Sequence, residues 1–396
     1  MSGALAATST VVTASGLQTP PPLSLYIHWP WCVKKCPYCD FNSHEAKAEI
    51  PEAAYITALV SDLEAALPKI WGRRVGTIFI GGGTPSLISG AGLDALLTAI
   101  RTRVTLIPEA EITLEANPGT VEADKFKSFR DAGVNRISIG IQSFDDAKLQ
   151  SLGRIHTATE AARAIEIALN HFDNVNLDLM YALPQQTMEA ARRDIETAIS
   201  CGTTHLSAYH LTLEPNTLFY RDPPPLPDDD LSADMQDMVE ETLAAAGYVH
   251  YETSAFAKPR RECRHNLNYW TFGDYLGIGA GAHGKISDHA GIAREMRHKH
   301  PRAYLDGADR NDFIQEQRIV TAAELPGEFM MNALRLTEGF PSGLFSERTG
   351  LQLSRLQSEL LAAQREGLLE VTPEHIRPTL RGQRYLNHLL QLFLGD

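Results

Sequence analysis

Short apolar runs recur along the chain, separated by stretches whose apolar residues fall three and four positions apart. The runs read as strands: Leu23–Trp29 (LSLYIHW), Thr77–Gly83 (TIFIGGG), Glu111–Pro118, Arg136–Phe144, Asn174–Pro184 and His205–Pro215. Two of the intervening stretches, AAYITALVSDLEAAL and TEAARAIEIALN, carry the spacing of a helix with one apolar face. Strands that alternate with helices pair in parallel through right-handed crossovers. Six such units suit either a doubly wound sheet or a partial barrel. The polar residues separate the two. CVKKC follows the first strand, GGGTP the second, EANPG the third and QSF the fourth, while the fifth carries Asp178. Chemistry gathered at the C-terminal ends of many strands is the habit of a β/α barrel, whose strand ends converge on one mouth. A doubly wound sheet concentrates its site at one switch point instead. The predicted fold is therefore α/β: a partial (β/α)6 barrel over residues 21–225, open on one side.

Beyond the barrel the texture changes. Arg221–Asp230 (RDPPPLPDDD) is a proline- and aspartate-rich connector. A helix follows and stops at Gly247, a residue suited to a C-cap. Residues 226–311, crowded with glycine, aromatics and histidine, otherwise read as a loop-rich segment covering the barrel mouth. Residues 312–396 read helix, helix, short β turn-back, helix, similar to a winged-helix domain. The wing, LLEVTPEHIRPT, is acidic as often as basic. Packing or partner docking therefore suits this domain better than DNA binding.

Residues 1–20 read as a disordered tail without the basic and compact apolar regions of a signal peptide. No apolar run approaches the roughly 20 residues of a membrane span. The expected compartment is the cytoplasm. A net charge of −13 disfavours nucleic acid as a partner. Only five cysteines occur, three of them within CVKKCPYC, and this is no disulfide framework. Clustered cysteines in a reducing compartment point to metal binding or redox chemistry.

Cys32, Cys36 and Cys39 have the spacing C-x3-C-x2-C, just after a buried strand. Thiolates are the ligands of iron–sulfur clusters. A structural zinc site would need a fourth ligand. Cys201 and Cys263 are remote, position 40 is Asp, and His44 is a weak candidate. The economical reading is a [4Fe-4S] cluster with three irons held by the protein and the fourth open to an outside ligand.

With Tyr38 before the last cysteine, this motif resembles that of the radical S-adenosylmethionine (SAM) superfamily. The segments LYIHWPWCVKKCPYCDFNSH, FIGGGTPSL, EANPGT, NRISIGIQSF, LGRIH, NLDLMYALP and HNLNYWTFGDYLGIGAGAHGK extend the resemblance over nearly the whole chain after residue 20. Together they resemble the anaerobic coproporphyrinogen III oxidase family, and within it the HemW-type heme chaperones. The resemblance implies a cluster on Cys32, Cys36 and Cys39 whose open iron takes SAM. It implies that Gly82, Gly83 and Thr84 abut the methionyl end and that Glu115 and Asp178 accept from ribose hydroxyls. Arg154 would pair with the SAM carboxylate. Gln142 and Tyr38 would complete the set, and Tyr26 would lie along the adenosyl group. Each of these residues alone would pass for an ordinary polar residue on a barrel rim.

In HNLNYW the resemblance assigns His265 and Tyr269 to heme, since His is a standard axial ligand and aromatics flank porphyrins. His265 as the cap of a turn is the plain alternative. Cys263 is another candidate ligand, and His283, set among glycines in GAGAHGK, reads as structural. The decarboxylating oxidases continue their motif to a fourth cysteine, where this chain has Phe41, and carry a longer structured N-terminal segment. The expected function is that of a heme chaperone, which binds heme and passes it to an acceptor protein. The alternative is an oxygen-independent coproporphyrinogen III oxidase, and whether the chain is an enzyme stays open. Expected partners are heme and an acceptor protein, with a homodimer left open.

Overall fold

The computed structural model describes residue 17, residues 19–120 and residues 123–394. The expected disordered tail lies almost entirely outside the described residues. Six parallel strands form the centre of the molecule: β1 (Leu23–Trp29), β2 (Arg74–Gly82), β3 (Thr105–Ala116), β4 (Arg136–Gln142), β5 (Val175–Tyr181) and β6 (His205–His210). They are the six strands expected from the apolar runs, in sequential order. Helices including Glu52–Ala66, Gly90–Arg101, Ala158–His171 and Met188–Ser200 return the chain between them.

Strand periodicity of two sets what each face carries. Leu25, Ile27, Ile78, Ile80, Leu114, Ile137, Ile139, Leu177 and Leu206 lie in one apolar core with the helices. The alternate positions include Tyr26, His28, Thr77, Glu111, Glu115, Ser138, Asn176, Asp178 and His205. The inside of the barrel is therefore polar. Buried polar groups must find partners, and here they do so across strands. Thr77 Oγ1 donates to Ser24 Oγ (2.8 Å), Asn176 Nδ2 to Ser138 Oγ (2.8 Å), and His205 Nδ1 meets Asn176 Oδ1 (2.6 Å).

The barrel stays open because β1 does not pair with β6. Residues 226–311 begin with the expected helix, Asp229–Ala245, and beyond it, where loops were expected, carry further strands that extend the sheet on both edges. These are β7 (Val249–Glu252), β8 (Ala255–Ala257), β9 (Asp274–Ile278), β10 (His283–Asp288) and β11 (Gly291–Arg297). Strand β9 pairs in parallel with β1, and β10, β11 and β12 (Ile314–Ile319) follow antiparallel. On the other edge β8 pairs antiparallel with β6, and β7 with β8. The result is one twelve-stranded sheet. Some of the glycines that suggested loop, such as Gly279 and Gly281, lie in a tight connection, but Gly277, Gly284, Tyr251, Phe256 and Tyr275 lie within the strands. Gly247 does end its helix, with φ +77°.

The C-terminal part has its own core, in which Phe329, Met330, Phe340, Phe345 and Leu389 pack with Phe272 and Ile292. It is mostly helical, with a small antiparallel sheet whose Leu369–Val371 and His375–Pro378 strands form the expected wing. The helical pattern expected from Asp312 onward begins only at Leu325, after β12. Arg384 of this part forms ion pairs with Asp237 and Glu240 on the Asp229–Ala245 helix. Among the described residues no helix is long and apolar enough to cross a membrane.

Candidate functional site

The loop bearing the cysteines begins where β1 ends. Trp31–Cys32 pairs in parallel with His44–Glu45, so the intervening residues form a closed excursion. Lys35 Nζ braces it from inside, donating to the carbonyls of Phe41 (3.0 Å) and Ser43 (3.3 Å). Cys36-Pro37-Tyr38-Cys39 is a turn in which the Cys39 N–H donates to the Cys36 carbonyl (3.1 Å). Proline at its second position presets the backbone for this geometry.

The glycine turn after β2 is sewn to the same loop. Gly83 N–H donates to Trp29 O (2.7 Å), Thr84 N–H to Trp31 O (2.7 Å) and Gly82 N–H to Glu115 Oε2 (3.1 Å). The approach leaves no room for side chains. A Cβ on Gly82, at φ +119°, would lie 2.6 Å from the His28 ring, and one on Gly83 would lie 2.5 Å from Trp31 O. The N–H groups of Gly83 and Thr84 thus hold the start of the cysteine loop against the barrel, that of Gly82 is taken by Glu115, and the glycines are required by this close approach.

Above the turn lies a cavity of about 350 Å3. Every residue assigned by sequence to the cluster and to SAM lines it, except Tyr26. Glu115 faces Asp178 across the space. Burial, then the negative charge of Asp178, raises the Glu115 carboxyl to about 8. Asp178 is also raised by burial, and it accepts from Ser138 Oγ and Asn176 Nδ2, each at 2.8 Å. Arg154 Nη2 donates to the Gly140 carbonyl (2.8 Å) and Nη1 lies 3.7 Å from Cys36 Sγ, while its buried Nε has no partner. Gln142 closes β4 with φ +68°, a left-handed conformation costly for a residue with a Cβ and common at functional sites. Tyr38 leans on Phe219, ring centroids 6.3 Å apart.

Burial raises the Cys32 thiol to about 11. Among the described residues no three His, Cys, Asp or Glu side chains converge as the ligands of one metal ion do. The cysteines surround a space rather than a point, which suits a group of several metal atoms. The unpartnered Arg154 Nε and the paired acids suit a ligand with both anionic and hydroxyl groups.

A second cavity, of about 730 Å3, adjoins the first, and Lys35, Cys39, Gly82 and Glu115 line both. Tyr26 lines this one. Its hydroxyl meets His28 Nδ1 (2.9 Å), and His28 Nε2 meets the Asn42 carbonyl (2.9 Å). Tyr269, Trp270 and Tyr275 supply aromatic wall, and His44 and His283 reach it from other elements.

His265 lines neither cavity. It sits on the short helix Arg264–Trp270, whose first N–H groups donate to the Glu111 carboxylate (Arg264, 3.3 Å; His265, 3.2 Å). Its ring is fully enclosed, with Nδ1 at 2.7 Å from Thr77 Oγ1 and Nε2 at 2.9 Å from Tyr269 OH. Burial, then Arg136, pushes it down to about 3, so the imidazole is neutral. The histidine singled out for iron is thus engaged at both nitrogens, and Tyr269 stands between it and the cavity. Cys263, buried at the start of the same helix, faces Glu111 rather than either cavity. Sequence reasoning missed His28, Lys35, Glu111 and Tyr275. For His28 the signal was present, since it shares a strand face with Tyr26.

Comparison with known proteins places these features in a family. Residues 26–198 match the radical SAM superfamily model, and residues 320–385 match the HemN C-terminal domain. The chain is 50% identical over 378 residues to the heme chaperone HemW of Escherichia coli K12, covering 95% of this chain and 99% of that protein. It is 36% identical over 383 residues to the heme chaperone HemW of Bacillus subtilis, covering 94% and 99%. The solved structure of coproporphyrinogen III oxidase (HemN) from Escherichia coli, described as a radical SAM enzyme, superposes with a TM-score of 0.82 over 96% of this chain and 92% of that one. At 23% identity it shares the fold. The chain belongs to the HemW family of the radical SAM superfamily.

Proposed function

We propose that this protein is a heme chaperone, which holds heme in the second cavity and passes it intact to an acceptor protein. The observation that carries this reading is the pairing of cavities. A large, aromatic, histidine-bearing space shares a wall with the space ringed by three cysteines. Its size suits a cofactor rather than a small metabolite. The curated relatives named heme chaperones span almost the whole chain.

In this reading Cys32, Cys36 and Cys39 would hold a [4Fe-4S] cluster. Gly82, Gly83, Thr84, Glu115, Gln142, Arg154, Asp178 and Tyr38 would surround SAM, while Tyr26 lines only the second cavity. Cluster and SAM together supply one-electron chemistry when bound. The chain's own residues do the rest. Arg154 brings a fixed cation beside Cys36, and its free Nε is a donor for a carboxylate. Glu115 and Asp178 offer acceptors for hydroxyl groups. The glycine turn fixes the loop so that the thiols keep their places. Tyr269 and Trp270 bring the aromatic residues of the HNLNYW motif to the heme space, and His265 positions Tyr269 through their hydrogen bond.

The competing reading is an oxygen-independent coproporphyrinogen III oxidase, favoured by the likeness of fold alone. Phe41 stands where the oxidase pattern needs a fourth cysteine. One experiment separates them. Cluster-loaded protein is incubated with SAM, a reductant and coproporphyrinogen III, and in parallel heme-loaded protein is mixed with an apo-hemoprotein. Heme leaving intact for the apo-protein, with no decarboxylated porphyrinogen formed, is the expected result. Protoporphyrinogen formed at the expense of SAM would overturn it.

A further inference from the structure

Four histidines lie in or next to the second cavity, and their nitrogens are differently occupied. His265 is enclosed and hydrogen-bonded at both positions. His28 is likewise bonded at both, to Tyr26 OH and the Asn42 carbonyl. His44 lines the cavity too, but it packs edge-on against His300 at 5.3 Å and its Nε2 is buried. His283 lines the cavity as an exposed side chain, and neither of its ring nitrogens has a hydrogen-bond partner among the described residues.

The glycines around His283 explain its placement. An added Cβ on Gly277 of β9 would lie 2.0 Å from the His283 carbonyl oxygen, so only glycine admits the strand at that distance. His283 then opens β10, paired with Met296 of β11. The backbone is clamped and the imidazole is left over. A neutral imidazole with a free nitrogen on rigid backbone is what a heme iron needs from a protein. Lys299, an exposed residue without an ion-pair partner among the described residues, lies on the same wall and suits a carboxylate of the porphyrin edge.

We propose that His283, not His265, supplies the protein's axial ligand to heme iron in the second cavity. This rests on the heme-binding reading above and assigns that site's iron contact. His265 is then a positioning residue for Tyr269.

The test uses the cluster-loaded full chain titrated with hemin, read by the heme absorption and electron paramagnetic resonance spectra. The wild type shows histidine ligation. His283→Ala loses that signature and binds about tenfold or more weakly, as expected for loss of a metal contact. Added imidazole restores the wild-type spectrum. His283→Cys acquires the spectrum of a thiolate-ligated heme, a gain that misfolding would not produce. His265→Ala keeps histidine ligation. The proposal is overturned if His283→Ala retains the wild-type spectrum, or if His265→Ala or His44→Ala alone abolishes it. Failure of the wild type itself to take up hemin saturably would instead remove the heme-binding reading, and the assignment with it.

Discussion

At Gly83 a single methyl group would sit 2.5 Å from the Trp31 carbonyl oxygen, and backbone cannot yield there without moving the cysteine loop. Gly83→Ala is expected to lower stability by about 1–3 kcal/mol. A shift in the denaturant midpoint, together with reduced iron content after reconstitution, checks it. Cys36→Ala acts on the cluster itself. The wild type should take up about four irons per chain with a broad absorption band, and the variant should hold neither. Glu115 makes a prediction about pH. Its carboxyl, raised by burial and by Asp178 from the ordinary 4.5 to about 8, keeps its proton in the folded state over a range where the unfolded chain has lost it. The folded state binds more protons there, so this group's stabilisation is complete below 4.5 and is lost as pH rises through about 8. Unfolding measured across that range should show stability falling with pH, and Glu115→Gln should flatten the slope. At this scale the sequence is readable where spacing carries the information. The three cysteines and the glycine turn are of that kind, because their chemistry needs fixed intervals. For His265 spacing is not enough, since it lines neither cavity and is hydrogen-bonded at both ring nitrogens. Which of His265 and Tyr269 faces the cavity depends on how a two-turn helix docks on the barrel, and spacing does not reveal that.

The six central strands were legible because each is a short apolar run set between helical stretches. The sheet extensions were not. Strand β9, DYLGI, is short and glycine-containing and takes its parallel partner β1 from the other end of the chain, while β11, GIAREMR, is charged and forms a hairpin with β10. Pairing in the sheet rather than an apolar run makes them strands. The Arg264–Trp270 helix shows the same dependence. At seven residues it is too short to stand alone, and its N-terminus is held by Glu111 from β3 rather than by a local cap. Glu111→Ala leaves two donors unsatisfied at a buried helix end. A loss of about 1–3 kcal/mol in chemical unfolding is expected, together with a change in the environment of Tyr269 visible in near-ultraviolet circular dichroism. If stability and spectrum are both unchanged, Glu111 does not anchor the helix.

Across the whole molecule, one sheet carries two cores, and Phe272 and Ile292 of the sheet side belong to the C-terminal one. The winged-helix-like part is thereby built into the same body as the cavities, and Arg384 ties it to the Asp229–Ala245 helix. Its wing resembles a DNA reader, but the chain carries a net charge of −13. Duplex DNA should show no salt-sensitive binding in fluorescence anisotropy. Hemin titration of the cluster-loaded chain decides whether the second cavity takes heme beside an intact cluster. Saturation near one heme per chain is expected, with the iron–sulfur absorption retained throughout. Uptake that never saturates, or that displaces the cluster, would contradict it.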